Sequence, residues 1–392
     1  MDETAFDHSY LTSIGSLVNT SYTNVFSRLI VLAVCFFPSL SSADLSQDLE
    51  TIQAVDHRAE GNLAAQTAYD SLISADKSNL PTLLKAFNEA NPLALNYLRS
   101  AFEVIVAKGD GELPMPELLE YLNDQDNNQK ARAMVFDLIK KNSPEKAEKM
   151  LDEMVTDSSA EIRYQAVEKL LGQADKLSGD AKKEAYLKAL QGASEEGQVT
   201  QIRDSLTELD VDVNLQKHFG LLTQWKVIGP FDNKDTKAFD IAYPPETELD
   251  FSATYEGVEG DVQWQTIDTE DPMGSVDIAK SIGPYKGAVM YMYSEYASPA
   301  QQEVYFRLAT ANAWKLWVNG ELVFAREEYH RGMRWDQYRI PVSLKEGENK
   351  ILFKILQNEQ EQSWAQKYEV QLRVCDKSGQ GLLPEQPFDP TK

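Results

Sequence analysis

The stretch "AWKLWVNGELVFA", residues 313–325, places two apolar runs on either side of an Asn-Gly pair. Asn and Gly tolerate the positive φ angles that a type I′ turn requires at both of its central residues. The stretch therefore predicts a β-hairpin in which residues 314–318 pair with residues 321–325. Because side chains alternate along a strand, we expect Leu316 and Val318 to face one layer and Trp317 to face the other.

Strand-like segments surround this hairpin from about Leu221 onward, where the spacing of apolar residues changes from the helical period of 3.6 to the strand period of 2. The predicted strands are 224–229, 262–268, 288–296, 302–309, 314–318, 321–325, 336–344, 349–356 and 366–374. No helical stretch separates them, so we predict an antiparallel β-sandwich or barrel over residues 221–376. The tail at 377–392 is rich in proline and is predicted to be disordered.

The chain before this region, residues 44–217, has a helical pattern with internal repeats. Similar helix–turn–helix segments begin at Leu83, Leu118, Met150 and Tyr186. Their equivalent positions are Leu84, Leu119, Leu151 and Leu187, at intervals of 35, 32 and 36 residues. One helical hairpin cannot bury its own apolar stripe, so neighbouring hairpins must stack. The predicted fold class is therefore multidomain, with an α-solenoid followed by an all-β domain.

Residues 157–171, "DSSAEIRYQAVEKLL", resemble a HEAT repeat, with Asp157 and Arg163 near the places where that family carries such residues. The repeat period is shorter than in typical HEAT repeats and nearer to the length of a tetratricopeptide repeat. The Trp/Gly/Tyr signature of tetratricopeptide repeats is absent. The subtype therefore stays open between the two, with HEAT-like repeats favoured, and the resemblance implies a scaffold or a surface for partners.

The β region, from about residue 285 to 375, is similar to the galactose-binding-like jelly roll. The likeness is to the sugar-binding domain of beta-galactosidase and beta-glucuronidase relatives. Its motifs here are Trp317-Val318-Asn319-Gly320, followed by Leu344, Gly347 and Asn349. Helical repeats before such a sandwich also resemble secreted proteins of planctomycete-type bacteria. The resemblance implies carbohydrate binding, and because the sequence has no catalytic barrel like that of the glycosidases, we expect a non-catalytic protein.

The net charge of the chain indicates which partners it can bind, and an apolar segment near its start indicates where the protein is located. The chain has 62 acidic and 38 basic residues, a net charge of −24, which would repel nucleic acid and anionic membrane surfaces. Residues 29–40, "LIVLAVCFFPSL", are too short to cross a hydrocarbon core of about 30 Å but have the length of a secretory signal core. We therefore expect a leader over residues 1–43, no transmembrane segment after its removal, and an exported bacterial protein, periplasmic or extracellular. The acidic residues before Arg28 leave the true start codon open.

The sequence shows no motif for a cofactor, a metal centre or a catalytic nucleophile. The histidines are far apart, and neither a His-x-x-x-His pair nor a Gly-x-Ser-x-Gly elbow occurs. "DNKD", residues 232–235, offers clustered oxygen ligands for Ca²⁺ but lacks the other ligands of an EF-hand loop, and a polar turn is the alternative. We therefore predict no catalytic residues and no cofactor.

The strongest candidate site is "REEYHRGMRW", residues 326–335, between two predicted strands. Aromatic faces and planar polar groups are what sugars bind, and loops on a rigid scaffold are where such groups usually stand. The predicted ligand-binding residues are Arg326, Tyr329, His330, Arg331 and Trp335. In the alternative, Tyr329 and Trp335 plug the end of the sandwich and the arginines pair with neighbouring acids.

The function predicted from these features is recognition of a glycan or a protein partner. Two alternatives remain open. One is a structural interaction protein that binds no sugar, and the other is an accessory subunit of a polysaccharide-degrading system.

Overall fold

The computed structural model describes residues 42–56 and 60–391. The predicted leader lies outside the described residues, apart from residues 42 and 43, which begin the first helix. Within the described part, the N-terminal half of the chain is helical and the C-terminal half forms antiparallel sheets. The predicted change from helical to β structure is therefore confirmed.

The helices of the N-terminal half are α1 (Ser42–Gln53), α2 (Asn62–Leu72), α3 (Leu80–Lys85), α4 (Pro92–Ala107), α5 (Met115–Asn123), α6 (Gln129–Asn142), α7 (Pro144–Met150), α8 (Ala160–Ala174), α9 (Gly179–Gly192), α10 (Glu196–Thr207) and α11 (Leu215–Phe219). Asparagine caps begin α4 and α6, because the side-chain oxygens of Asn91 and Asn128 accept hydrogen bonds from backbone N–H groups of the first turn. The amide groups of the same side chains also donate hydrogen bonds to the preceding unit. Asn91 donates to the carbonyl of Val55 at 2.5 Å, and Asn128 donates to that of Phe87 at 3.0 Å. An asparagine side chain thus caps both α4 and α6 and hydrogen-bonds each of them to the preceding unit.

The aligned repeat positions are buried in two units, half-buried in the second unit at Leu119, and exposed in the fourth. Leu84 and Leu151 are buried as the alignment predicts. In the fourth unit, however, Leu187 is exposed and Tyr186 is buried in its place. One residue turns a helical position by about 100°, so the buried face of α9 starts one residue earlier than the repeat suggests.

The strands are β1 (Gln224–Asp232), β2 (Thr254–Gly257), β3 (Gly260–Gln263), β4 (Gln265–Asp268), β5 (Val276–Asp277), β6 (Ala288–Ser298), β7 (Gln302–Thr310), β8 (Ala313–Val318), β9 (Glu321–Arg326), β10 (Tyr338–Leu344), β11 (Gly347–Gln357) and β12 (Glu369–Cys375), with short helices α12 (Pro244–Thr247) and α13 (Ile278–Ser281) between them. A six-stranded sheet has the order β4-β1-β6-β11-β8-β9, and a four-stranded sheet has the order β10-β7-β12-β5. The strands β2 and β3 form a separate ribbon. All of these pairings are antiparallel.

The hairpin of β8 and β9 forms as predicted. Asn319 and Gly320 have φ angles of 52° and 86°, and Val318 pairs with Glu321 across the turn. Asn319 also ties the turn to β11, because its side-chain amide donates to the Asn349 side chain at 2.9 Å and its oxygen accepts the Lys350 N–H at 3.0 Å. The Asn-Gly pair therefore fixes both the turn and its position in the sheet.

Side chains of the two larger sheets share one apolar cluster. Leu316 and Val318 of β8 lie in it together with Phe306 of β7 and Leu372 of β12. Trp317 points the other way, into a second cluster on the outer face of the six-stranded sheet. The predicted alternation of faces in β8 is therefore confirmed.

The outer face of the six-stranded sheet is covered by the connection between β1 and β2. Phe251 of this connection packs against Tyr293 of β6, with 4.9 Å between ring centroids. Glu246 accepts a hydrogen bond at 2.8 Å from the ammonium of Lys354, which is fully buried on β11. A buried lysine requires such a partner, so this ion pair fastens the connection to the sheet.

The pairing of the β half begins at Gly220, one residue before the predicted boundary. The Val374 N–H donates to the carbonyl of Gly220 at 2.8 Å, and the Leu222 N–H donates to that of Leu372 at 2.9 Å. Leu221 itself packs in the helical cluster. The end of α11 is therefore joined directly to β12.

The predicted disorder of the tail is wrong for residues 377–391. Phe388 packs against Tyr293 with 5.9 Å between ring centroids, and the Lys226 ammonium donates to the carbonyl of Pro390 at 2.7 Å. Lys226 is buried on β1, so its charged group needs an acceptor, and the tail supplies one. The proline-rich composition of the tail did not show that the six-stranded sheet provides a surface on which the tail packs.

Candidate functional site

The loop between β9 and β10, residues 327–337, contains most of the predicted site. It is held near its middle by the Arg331 N–H, which donates to the carbonyl of Ala311 at 3.2 Å. His330 and Asp336 both have left-handed backbones, with φ angles of 57° and 52°. Such conformations are costly for residues other than glycine and persist where surrounding contacts enforce them. The loop is therefore a specified structure with two sharp bends.

Tyr329 is half-buried at the first bend. Its ring packs beside the outer cluster of the six-stranded sheet, and its hydroxyl accepts a hydrogen bond at 3.2 Å from the side chain of Asn233. Burial raises the pKa of Tyr329, and the hydrogen bond from Asn233 only partly offsets this. Tyr329 therefore stays protonated at neutral pH and supports the base of the loop.

His330 stands next to an exposed tryptophan. Its Nε2 lies 2.6 Å from the side-chain oxygen of Asn358, and its ring lies edge-on to Trp364, with 5.3 Å between centroids and 85° between planes. Trp364 is 60% exposed, which is unusual for so large an apolar side chain. We call His330, Asn358 and Trp364 the aromatic platform.

Several side chains donate hydrogen bonds to the backbone carbonyls around Trp364. The carbonyl of Ala365 accepts hydrogen bonds from the Lys286 ammonium at 2.8 Å and from the Gln357 side chain at 3.2 Å. The Gln366 side chain donates to the carbonyls of Glu361 and Gln362. Trp364 is therefore an exposed ring on an anchored loop, which lowers the entropy cost of ordering it against a ligand.

The two arginines of the predicted site lie close to His330 in sequence and share one carboxylate. Arg326 and Arg331 form ion pairs with Glu328 at 2.5 and 2.6 Å. Hydrogen bonds from both arginines hold the pKa of Glu328 below its ordinary value. One carboxylate thus offsets one of the two positive charges, and both arginine side chains remain about half exposed.

Trp335 does not join Tyr329 and His330. It packs with the helical cluster, edge-on to Phe219 of α11, and lies against the guanidinium of Arg373, 4.7 Å from the ring centroid. The neighbouring Asp336 pairs with Arg307 and Arg373. The structure therefore divides the predicted site into a platform side with Tyr329 and His330 and a junction side with Trp335.

The prediction missed Trp364 and Asn358. Both lie in "NEQEQSWAQKY", residues 358–368, which connects β11 and β12. A signal was present, because one large aromatic residue stands in a run of Gln and Glu between two strands, where no apolar pattern calls for it. It could not show that this loop meets residue 330.

The described residues contain no group of three or more His, Cys, Asp or Glu side chains placed to hold a metal ion. Around Asp232, the oxygens proposed for Ca²⁺ are engaged locally. Asp232 accepts the Lys234 N–H at 2.9 Å, and Asp235 pairs with Lys237 at 2.7 Å. No helix in the described part of the chain is long and apolar enough to cross a membrane.

No protein-family model and no curated protein matches the chain. Among solved structures, an anti-sigma factor domain-containing protein is similar with 11% identity and a TM-score of 0.26, over 44% of this chain and 48% of its own. A beta-glucuronidase from an uncultured Clostridium sp. has 13% identity and a TM-score of 0.25, over 40% and 29%. A beta-glucosidase from Kluyveromyces marxianus, in complex with glucose, has 11% identity and a TM-score of 0.24, over 38% and 16%. The matched part is less than half of each of these proteins, and similarities of this size assign neither a family nor a function to the chain.

Proposed function

We propose that the chain is an exported, non-catalytic binding protein that takes a carbohydrate on the aromatic platform. The observation that carries the proposal is the exposed ring of Trp364, set edge-on to His330 on an anchored loop. The C–H face of a pyranose ring packs on such a surface, as apolar groups do on other aromatic rings.

Polar groups beside Trp364 suit the hydroxyl groups of a sugar. Asn358 accepts from Gln360 through its side-chain oxygen and donates to the Gln360 side chain at 3.2 Å. Side-chain amides both donate and accept, so Asn358 and Gln360 can exchange these contacts for hydroxyl groups. An apolar surface with a few placed polar groups is the usual composition of a small-molecule site.

Charge near the platform favours a neutral glycan over an acidic one. Glu359 and Glu361 lie in the Trp364 loop, and Glu327 is the first residue of the loop that contains His330. Together with Glu328, these acids outnumber the two arginines of the predicted site, so the local charge disfavours a uronate. We therefore propose a neutral sugar as the ligand.

The proposed architecture is a jelly roll carried on stacked HEAT-like hairpins. The apolar cluster shared by the two larger sheets supports the first part. The backward hydrogen bonds of Asn91 and Asn128, made at equivalent places in successive units, support the second. The helical half would then hold the sugar-binding half at a fixed position on a larger assembly.

A protein partner is the second candidate, favoured by exposed apolar side chains on the helical half. Leu63 is 83% exposed on α2, and Leu93 and Val104 are exposed on α4. Scattered exposed residues are common, but stacked helical hairpins often use such a surface for partners. A partner bound there would leave the platform free.

The test is a glycan array followed by calorimetry on the intact chain and two variants. Trp364→Ala should lower affinity for the bound glycan roughly 5- to 100-fold, which is the usual effect of truncating a central aromatic contact. Tyr164→Ala is the matched control, because Tyr164 is a 44% exposed aromatic residue on the helical half. Sugar binding at this platform would be refuted if the intact chain bound no glycan on the array. It would also be refuted if Trp364→Ala bound the glycan as tightly as the intact chain.

A further inference from the structure

The six-stranded sheet carries a cavity of about 400 Å³ on its outer face, beside the turn between β8 and β9. Trp317 of β8 and Leu352 of β11 are paired across the two strands, and both line this cavity. The ring of Trp317 is half-buried and Leu352 is buried, so they form an apolar floor. The volume falls within the range of roughly 300–1,000 Å³ that small-molecule sites occupy.

Two fixed segments complete the lining of the cavity. One is α12 with the residues after it, held by Glu246, which accepts a hydrogen bond from the buried ammonium of Lys354 at 2.8 Å. The other is the turn at Asn319 and Gly320, held by the hydrogen bond from Asn319 to the Asn349 side chain at 2.9 Å. A site whose walls are already ordered loses little entropy of its own when a ligand binds.

Two exposed side chains of opposite charge line the same cavity, Lys350 on β11 and Glu248 directly after α12. Neither side chain forms an ion pair or a hydrogen bond with another residue that the structure describes. The other acid of the lining, Glu246, is instead paired with Lys354. A ligand with a single charge would be attracted by one of the two unpaired groups and repelled by the other. The cavity therefore suits a ligand that carries both charges.

We propose that this cavity binds a free α-amino acid with an apolar side chain. Lys350 pairs with the α-carboxylate, Glu248 pairs with the α-ammonium, and the apolar side chain packs on the ring of Trp317. Hydrogen bonds between charged groups are the strong ones in protein sites, and the indole ring offers a large apolar contact.

The two unpaired charges favour a free amino acid over other ligands. Within a peptide the amino and carboxyl groups are joined as amides, so either end of a peptide brings only one of the two charges. A neutral sugar would pack on Trp317 but would bring no charge to Lys350 or Glu248.

This cavity is distinct from the aromatic platform. Asn358 of the platform comes six positions after Leu352, which corresponds to about 20 Å of extended chain. The inference therefore does not depend on sugar binding at Trp364.

The experiment is isothermal titration calorimetry of the full chain with free phenylalanine, tryptophan and leucine, and with the N-acetyl and amide derivatives of each. We expect at least one free amino acid to bind, and both of its derivatives to bind at least tenfold more weakly, since each lacks one charge. Glu248→Gln should remove the difference between the free and the N-acetyl form. Lys350→Met should remove the difference between the free form and the amide, because each substitution deletes the partner of the missing charge.

Two further substitutions test the floor and the position of the charge. Trp317→Ala should weaken binding at least tenfold, and Trp317→Phe, which keeps an aromatic ring, should restore most of the affinity. Lys345→Met is the matched control for Lys350→Met, because Lys345 is an exposed lysine that does not line the cavity, and it should behave like the unchanged chain.

Four results would each overturn the proposal. The first is that none of the three amino acids binds the unchanged chain, and the second is that an N-acetyl derivative binds as tightly as the free amino acid. The third is equal affinity of the free amino acid for the unchanged chain and for Glu248→Gln, an exposed substitution that does not depend on the fold of the floor. The fourth is a neutral sugar whose binding Trp317→Phe preserves and Glu248→Gln leaves unchanged, which would assign the cavity to carbohydrate.

Discussion

Trp335 lies edge-on to Phe219, with 4.5 Å between the ring centroids, and so connects the β half of the chain to the last helix of the helical half. A second contact crosses the same junction, because the Arg163 side chain on α8 donates to the carbonyl of Ser378 at 2.6 Å. The two halves therefore share a buried junction that is partly aromatic and partly polar. Its residues are expected to affect stability more than ligand binding.

Trp335→Ala should lower the free energy of unfolding by about 2–4 kcal/mol, because it removes a half-buried ring from between Phe219 and Arg373. Chemical denaturation followed by circular dichroism measures this change. Trp364→Ala is the control, since loss of this exposed ring should lower the free energy of unfolding by no more than about 0.5 kcal/mol. Equal destabilisation by the two substitutions would show that the platform, too, is part of the structural core.

Arg132→Met should destabilise the helical half by about 3–5 kcal/mol, because it leaves the buried carboxylate of Asp157 without its cation. Arg132 and Asp157 form a fully buried ion pair at 2.7 Å. The double variant Arg132→Met/Asp157→Leu should be less destabilised than the single one, since neither charge then remains. Thermal unfolding of all three proteins checks the order, and a single variant as stable as the unchanged chain would contradict it.

Acid should weaken the junction through Asp336. Burial acts to raise the pKa of Asp336, but the hydrogen bonds and charges of Arg373 and Arg307 outweigh it and hold the pKa below its ordinary value. A carboxyl group with a lower pKa in the folded state stabilises the protein above its unfolded-state pKa, and this contribution is lost as the pH falls through the folded-state pKa.

The stability of the unchanged chain should therefore fall as the pH drops below about 4, and Asp336→Asn should show a shallower decline over the same range. At neutral pH, Asp336→Asn should be the less stable of the two. Urea midpoints measured from neutral pH down to about pH 2 give both curves. Parallel curves would mean that Asp336 contributes nothing to the acid response.

Gly320→Val should cost about 1–3 kcal/mol of stability through its backbone alone. Gly320 has a φ of 86°, and a Cβ added there meets no atom within 4 Å. Gly332 is equally open but lies outside the left-handed region, so Gly332→Val is the matched control and should change stability little. Thermal denaturation compares them, and equal losses would assign the effect to valine rather than to the turn.

The hairpin could be predicted because its information is local. Asn319 and Gly320 determine the turn between adjacent strands, and the alternation of Leu316, Trp317 and Val318 determines their faces. The helices of the N-terminal half could be predicted for the same reason, since residues three and four apart determine the apolar face of a helix. The one-residue shift at Tyr186 shows the limit, because packing against neighbours chooses the buried face.

The candidate site could be predicted only in part, because its residues come together through distant contacts. Tyr329 and Trp335 are six positions apart, yet the left-handed residues His330 and Asp336 help direct them into different clusters. Trp364 reaches His330 only because β11 and β12 return to the same end of the sheets. The tail was misjudged in the same way, since its partner Lys226 lies at the opposite end of the β region in sequence.

The pairing of Gly220 and Leu222 with β12 has a consequence for synthesis of the chain. The helical half relies on contacts between neighbouring units and can fold as it leaves the ribosome. Residues 220–222, in contrast, must wait for residues 372–374, which emerge only after all the other strands. The four-stranded sheet can therefore close only after β12 has been made, and until then β5 and β7 lack the strand that lies between them. A chaperone that shields the edges of these two strands would be needed most during this interval, while the helical half is already in place.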